Sequence, residues 1–208
     1  MIDSIKRLYQ KSKLKDSSFE FLFEIYSGDE VIVLDTETTG LNPKKDAIIS
    51  IGAVRVKGNR VYLGNAFEEY LKPDTKISIE SIKIHGIREI DLQNAKDAKD
   101  VIPKLLHFIG NRPIVGYYID FDKKILSRYT KDLIGIELPN QTIELSQMYY
   151  KRYKKHSAYE FVDLKFDTII EQLDLPKLGK HDALNDAIMS AMIYLKLKTI
   201  PEYKGAFS

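Results

Sequence analysis

The stretch VIVLDTETTGL, Val31 to Leu41, runs four apolar residues straight into Asp35, Thr36 and Glu37 and then a turn at Gly40. An unbroken apolar run of this length reads as a strand buried on both faces. Side chains two apart on a strand share a face, so Asp35 and Glu37 project together from its end. Like charges held side by side at a buried strand end are costly unless a cation neutralises them or a proton is taken up. A lone D-x-E also fits a solvated strand end followed by an ordinary turn through Thr38, Thr39 and Gly40, so the reading depends on further carboxylates.

Working outward, AIISIGAVRVKGNRVYLGNAFEEYLKP holds two β-rich runs joined around Lys57-Gly58-Asn59, which has hairpin-turn chemistry. Beyond Pro73 the pattern turns helical: ISIESIKIHGI is a short segment, and residues 97–109 carry apolar side chains at Val101, Ile102, Leu105, Leu106 and Ile109. PIVGYY reads as a short strand and DFDKKILSRYTKDL as an amphipathic helix. QTIELSQMYYKRYKK reads as a strand entering a helix, and FVDLKFDTIIEQLDL and HDALNDAIMSAMIYLKLK as two more helices. The order β-β-β-α-β-α-β-α predicts a layered α/β fold with a mixed sheet. Residues 1–28, apolar at Ile5, Leu8, Tyr9, Phe19, Leu22, Phe23 and Tyr26, read as a helical N-terminal appendage in two short pieces, with the main domain over 29–208.

Composition narrows the chemistry. The 208 residues are 44% hydrophobic and 30% charged, the balance of a folded globular chain, and the net charge of +2 advertises no polyanion partner. There is no cysteine, which excludes disulfides and thiolate metal sites; any metal would be held by oxygen or imidazole, favouring hard cations such as magnesium or manganese. No apolar run has membrane length and the N-terminus carries no secretory signal, so no membrane partner and a cytoplasmic location are expected.

Two further acids complete a pattern. Asp122 follows the PIVG strand at the start of a helix, beside Asp120, which reads as the helix cap. Asp186 lies in the first turns of the last helix, near its apolar stripe, with Asp182 as the cap. His181, five positions earlier, is about 140° away around a helix axis and must reach over from the entry loop.

D-x-E ending a strand, F-D at a helix start and H-x(4)-D opening the last helix resemble, in that order, the DEDDh 3′–5′ exonuclease family. VLDTETTGL, IGAVRV, IHGI and HDALNDA look most like its branch of epsilon-type proofreading subunits of bacterial DNA polymerase III, over roughly residues 31–198. The histidine at a four-residue gap separates it from the sister group, which uses a tyrosine. The resemblance implies an RNase H-like fold with a mixed five-stranded sheet flanked by helices. It implies that Asp35, Glu37, Asp122 and Asp186 hold two divalent cations, Mg²⁺ or Mn²⁺, and that His181 is the general base, all five being catalytic. It further implies stepwise release of nucleoside 5′-monophosphates from a 3′ end. Two metal ions would stabilise both sides of an in-line displacement at phosphorus, and a near-neutral imidazole suits proton transfer from the attacking water.

For substrate binding the resemblance points to Thr38 and Leu41 beside the 3′ nucleotide, and to His85 near the cleft, although Leu41 also fits plain core packing and His85 a helix end before Gly86. Tyr117 and Tyr118 stand where many relatives have His-Asn; tyrosines could stack on bases instead, and core packing of at least one of them is the other reading. The basic stretch YYKRYKKHS, residues 149–157, fits phosphate tracking or a solvated helix face. QLDLP, residues 172–176, looks like a sliding-clamp docking motif, but Leu173 continues the apolar face of Phe166, Ile169 and Ile170. The expected partner is a single-stranded or frayed 3′ end of DNA, in proofreading or repair, with a DNA polymerase or sliding clamp as further partners. The alternatives are an RNA-trimming or oligoribonucleotide-degrading relative, and a non-catalytic polymerase- or clamp-binding module.

Overall fold

The computed structural model describes residues 2–154, 161–179 and 181–202, with side chains from residue 7 onward. Five strands, β1 (Glu30–Thr38), β2 (Ile48–Lys57), β3 (Arg60–Tyr70), β4 (Ile114–Gly116) and β5 (Thr142–Glu144), form one sheet in the order β3-β2-β1-β4-β5. β1, β2 and β3 pair antiparallel; β4 and β5 continue parallel to β1. The sheet is mixed and five-stranded, as expected, and β1 is its centre. β1 runs farther than its apolar residues suggest: the ladder with β2 carries on through Asp35, opposite Gly52, and Glu37, opposite Ser50, before an irregularity between Glu37 and Thr38. The β2–β3 hairpin turns at Gly58, whose φ of +57° suits glycine.

The helices among the described residues are α1 (Ile2–Ser12), α2 (Ile79–His85), α3 (Ala98–Ile109), α4 (Ile119–Ile134), α5 (Leu145–Tyr153), α6 (Phe166–Gln172) and α7 (Ala183–Thr199), with short 3-10 segments at Ser17–Phe23 and Glu89–Leu92. They cover both faces of the sheet, which is why Val31–Leu34 is apolar without alternation. Ile32 and Leu34 look one way, into a core with Val101 and Leu105 of α3 and Ile125 and Leu126 of α4. Val31 and Val33 look the other way, into a second core with Tyr149 of α5, Ile169 of α6 and Met189 and Ile193 of α7. The N-terminal segment joins the first of these: Phe19 and Leu22 are buried in it, the backbone N–H of Lys15 donates to the Ile134 carbonyl, and Arg7 donates to the carbonyls of Leu22 and Glu24.

Two surface motifs turn out to be structural. In the basic stretch, Tyr149 is buried and stacks on Tyr153, and Arg152 donates to the carbonyls of Leu197 and Ile200 at the end of α7. Tyr150, Lys151 and Lys154 are left exposed, and Lys155, His156 and Ser157 lie outside the described residues. In QLDLP, Leu173 is 2% exposed and belongs to the second core. Offering it to a clamp would require pulling the end of α6 off the sheet. No helix among the described residues is long and apolar enough to cross a membrane.

Candidate active site

The site lies at the carboxyl end of β1, the edge where open α/β sheets place their ligand crevices. Asp35 and Glu37 are on the odd-numbered face of the strand, toward α7, and both are partly buried. Thr36 is on the opposite face, and its hydroxyl donates to Asp122 Oδ1 at 2.6 Å. Asp122 is in the first turn of α4, in the other helical layer, and is 5% exposed. The carboxylates therefore converge on the strand end from both sides of the sheet.

α7 completes the set. Asp182 caps it, accepting from Asn185 N at 2.9 Å, as the sequence predicts. His181 precedes the helix in a left-handed conformation (φ +58°), and its backbone N–H donates to Asp186 Oδ2 at 3.2 Å. It does reach in from the entry loop. Glu37, His181 and Asp186 each offer a ligand atom within 4.8 Å of the others, a spacing one cation could bridge.

What brings α7 this close is Gly52, directly across from Asp35. A Cβ on Gly52 would lie 2.2 Å from the carbonyl carbon and oxygen of Ala183 and from the amide nitrogen of Leu184. The first turn of α7 thus rests on bare backbone, and any side chain there would push Asp186 and His181 away from Asp35 and Glu37. A glycine inside a strand pattern marks close backbone approach, but which element approaches is set by the tertiary packing.

Crowding perturbs the acids strongly. Burial, and then the charges of Asp122, Asp186, Glu37 and Asp182, hold the Asp35 carboxyl well above the usual carboxylate range. Burial, and then Asp186, Asp122 and Asp182, push Glu37 up to about 8. Burial pushes Asp122 up to about 7, against the lowering effect of the Thr36 hydrogen bonds. Without metal, the folded chain holds protons that the unfolded chain has already released between about pH 4.5 and 8. Stability of the metal-free protein is therefore greatest at the acid end of that window and falls as pH rises through it. Thermal unfolding in a chelator should show a melting temperature that drops from pH 5 to pH 8; a flat or rising profile would contradict this.

The expected substrate residues separate. Thr38 is buried and its hydroxyl proton goes to the Gly40 carbonyl at 2.6 Å, leaving only lone pairs for a ligand. Leu41 is 83% exposed, so core packing does not account for it. His85 ends α2, whose cap is Gly86 at φ +74°; its Nδ1 accepts from Ile87 N at 3.0 Å, which assigns the ring proton to Nε2. Burial lowers its pKa, against the raising effect of the Thr38 backbone, with nearby His181 adding to the lowering. It lines a cavity of about 440 Å³ with Ser50, Tyr70, His181 and Asp182. Tyr117 and Tyr118 have different fates. The Tyr117 hydroxyl donates to the Leu164 carbonyl at 2.8 Å and its ring packs on Phe166, so Tyr117 serves the fold rather than standing free for a base. Tyr118 is 59% exposed and left-handed (φ 55°), directly before α4. Asp120 is not the cap expected of it: α4 begins at Ile119, and Asp120 sits exposed in the first turn.

A protein-family model described as Exonuclease (RNase_T) matches residues 32–194, from the start of the apolar run to the last turns of α7. The chain belongs to the exonuclease family. Among exonuclease relatives, a DNA polymerase III PolC-type of Thermotoga petrophila is 32% identical over 181 residues, which is 87% of this chain but 12% of the relative. A DNA polymerase III subunit epsilon of Aquifex aeolicus is 28% identical over 200 residues, 95% of this chain and 88% of the relative. The fold matches the zinc-bound form of an E. coli exonuclease I–single-stranded DNA complex, with a TM-score of 0.70, 17% identity, and coverage of 82% of this chain and 41% of that one. The exonuclease resemblance and the RNase H-like architecture read from the sequence thus both hold.

Proposed function

We propose that this chain is a metal-dependent 3′–5′ exonuclease acting on DNA ends in proofreading or repair. The observation that carries the proposal is the grouping of Glu37, His181 and Asp186 within reach of one cation at the end of the central strand, with the charges of Asp122 and Asp186 acting on Asp35 and Glu37 beside it. The donor set fits divalent cations: four carboxylates and an imidazole, with no sulfur, suit Mg²⁺ or Mn²⁺. The upward pKa shifts of Asp35, Glu37 and Asp122 mark a place where negative charge is in excess and a cation would offset it.

Asp35, Glu37, Asp122 and Asp186 would hold the ions. Bound there, divalent ions would supply Lewis-acid stabilisation of charge on the phosphoryl oxygens and lower the pKa of a coordinated water. His181 is exposed at the mouth of the site, next to Glu37 and Asp186, where its imidazole can take a proton from the attacking water and pass it to solvent. Leu41 and Tyr118 present apolar and aromatic surface to an unstacked terminal base, and His85 walls the adjoining cavity. DNA is favoured over RNA because the PolC-type and epsilon relatives are named as DNA polymerase III components; a polymerase partner is proposed on the same ground.

The test is product analysis on 5′-labelled single-stranded DNA, mismatched duplex DNA and RNA, with Mg²⁺ or Mn²⁺ and with chelator. A ladder shortening from the 3′ end, dependent on metal and stronger on DNA, is expected. RNA degraded faster than matched DNA would favour the RNA-trimming reading, and no turnover of any substrate would favour a binding module. His181→Ala should lower kcat by about 10²–10⁴, the usual worth of a positioned acid–base group, with its melting temperature unchanged. Wild-type-like turnover by that variant would remove His181 from the mechanism.

A further inference from the structure

We infer that Glu144 is a positioning residue for Asp122, because its carboxylate ties the start of α4 to the end of β5. The inference rests on the metal-site reading above. Helix α4 has no side-chain cap of its own: Tyr118, at the cap position, is left-handed and makes no capping bond. The first amides of a helix are left without intrahelical partners and must find acceptors elsewhere. Here they find Glu144. Its Oε1 accepts from Tyr118 N at 3.0 Å and its Oε2 accepts from Ile119 N at 2.9 Å. Oε1 also accepts from Ser146 N at 3.0 Å and Ser146 Oγ at 2.8 Å, so the same carboxylate caps α5.

One side chain thus fixes two helix starts at the carboxyl ends of two neighbouring parallel strands, β4 and β5. A carboxylate at both N-termini also suits the positive ends of both helix dipoles. Its consequence for the site runs through four residues of chain. Tyr118 is held in a conformation that L-residues other than asparagine or aspartate rarely adopt, and Asp122 follows one helical turn later. Thr36 binds Asp122 at the carboxylate, and Glu144 binds the backbone that carries it. With both oxygens committed to amides and a hydroxyl, Glu144 acts through Asp122 rather than as a ligand.

The test measures Mn²⁺ binding to the full chain without nucleic acid, by electron paramagnetic resonance of free Mn²⁺, for the wild type, Glu144→Gln, Asp122→Asn and the double variant. Glutamine places an N–H₂ where one amide needs an acceptor. Residues that orient metal ligands are typically worth 10–100-fold in metal affinity, so Glu144→Gln should weaken Mn²⁺ binding by about tenfold or more. In the Asp122→Asn background it should have little further effect. Should Glu144→Gln fold poorly, Glu144→Asp, which keeps the charge but cannot span both α4 amides, is expected to show the same coupling to Asp122. Binding within twofold of wild type, or a loss of equal size with and without Asp122, would overturn the inference while leaving the metal reading intact. Absence of Mn²⁺ binding by the wild type would sink the metal reading, and the inference with it.

Discussion

Replacing Asp35 with asparagine is expected to abolish nucleotide release while making the metal-free protein harder to unfold. The two effects share one cause. Asp35 lies at the centre of the acid cluster, with Glu37, Asp122, Asp186 and Asp182 all acting to raise its pKa after burial itself. As a proposed ligand, its loss removes stabilisation worth several kcal/mol in the transition state, which corresponds to a rate at least about 10³-fold lower. In the metal-free chain the same substitution keeps the side chain's shape and takes away a crowded charge. Relief of about 1–2 kcal/mol would raise the melting temperature by roughly 3–6 °C for a domain of this size. The gain should be clear at pH 8, shrink toward pH 5 as the neighbouring carboxyls protonate, and vanish when Mg²⁺ is added to the wild type. Thermal melts across pH with paired activity assays read all three. A variant that lost activity and melted lower at pH 8 would show that Asp35 contributes to the fold by some route other than charge.

Gly52→Val should be nearly as damaging to activity, although residue 52 carries no chemistry. Its new Cβ would meet the Ala183 and Leu184 backbone at 2.2 Å, and a peptide group in the first turn of a helix cannot step aside as a flexible side chain would. Either α7 lifts from the sheet or β2 bends. Overpacking of this kind costs about 1–3 kcal/mol. A displacement of about 1 Å at a reacting centre can cost 10²-fold in rate, so kcat should fall at least that far. The signature that separates this from general destabilisation is metal affinity. Asp186 and His181 move away from Glu37, so half-saturation by Mn²⁺ should rise even at temperatures where the variant is fully folded. An active Gly52→Val enzyme with normal metal dependence would mean that α7 is not seated by this contact.

Much of this was legible in the letters because the relevant constraints are local. The buried strand, the hairpin at Gly58, the cap at Asp182 and the helix end at Gly86 all follow from neighbours a few residues apart. The acids and His181 stood out because each sits at an element boundary with recognisable spacing. The residues that organise them did not. Thr36 looked like a spacer within D-x-E until the strand's even-numbered face was seen to meet α4. Gly52 acquires its role only from the pairing register and the packing of a helix more than a hundred residues later. Asp120 suits the capping role by its position next to a helix start, whereas here the start of α4 is held by Glu144, from the next strand along. Tyr117 and Tyr118 look alike as neighbours in the sequence; in the fold the first bonds Leu164 and packs on Phe166, while the ring of the second rests against the first and stays largely exposed.

The opposed faces of β1 have a consequence for how the molecule holds together. Its odd residues belong to one hydrophobic core and its even residues to the other, yet Asp35 and Glu37 of the first side share a site with Asp122 of the second. An ion gripped by all of them would join the two helical layers from opposite faces of the sheet. Opening of either layer would then cost the binding energy of the ion as well as the packing of that layer, so the two would unfold as one cooperative unit when loaded and more independently when empty. Catalytic competence would in this way report on the integrity of the whole domain, because neither half can assemble the centre alone.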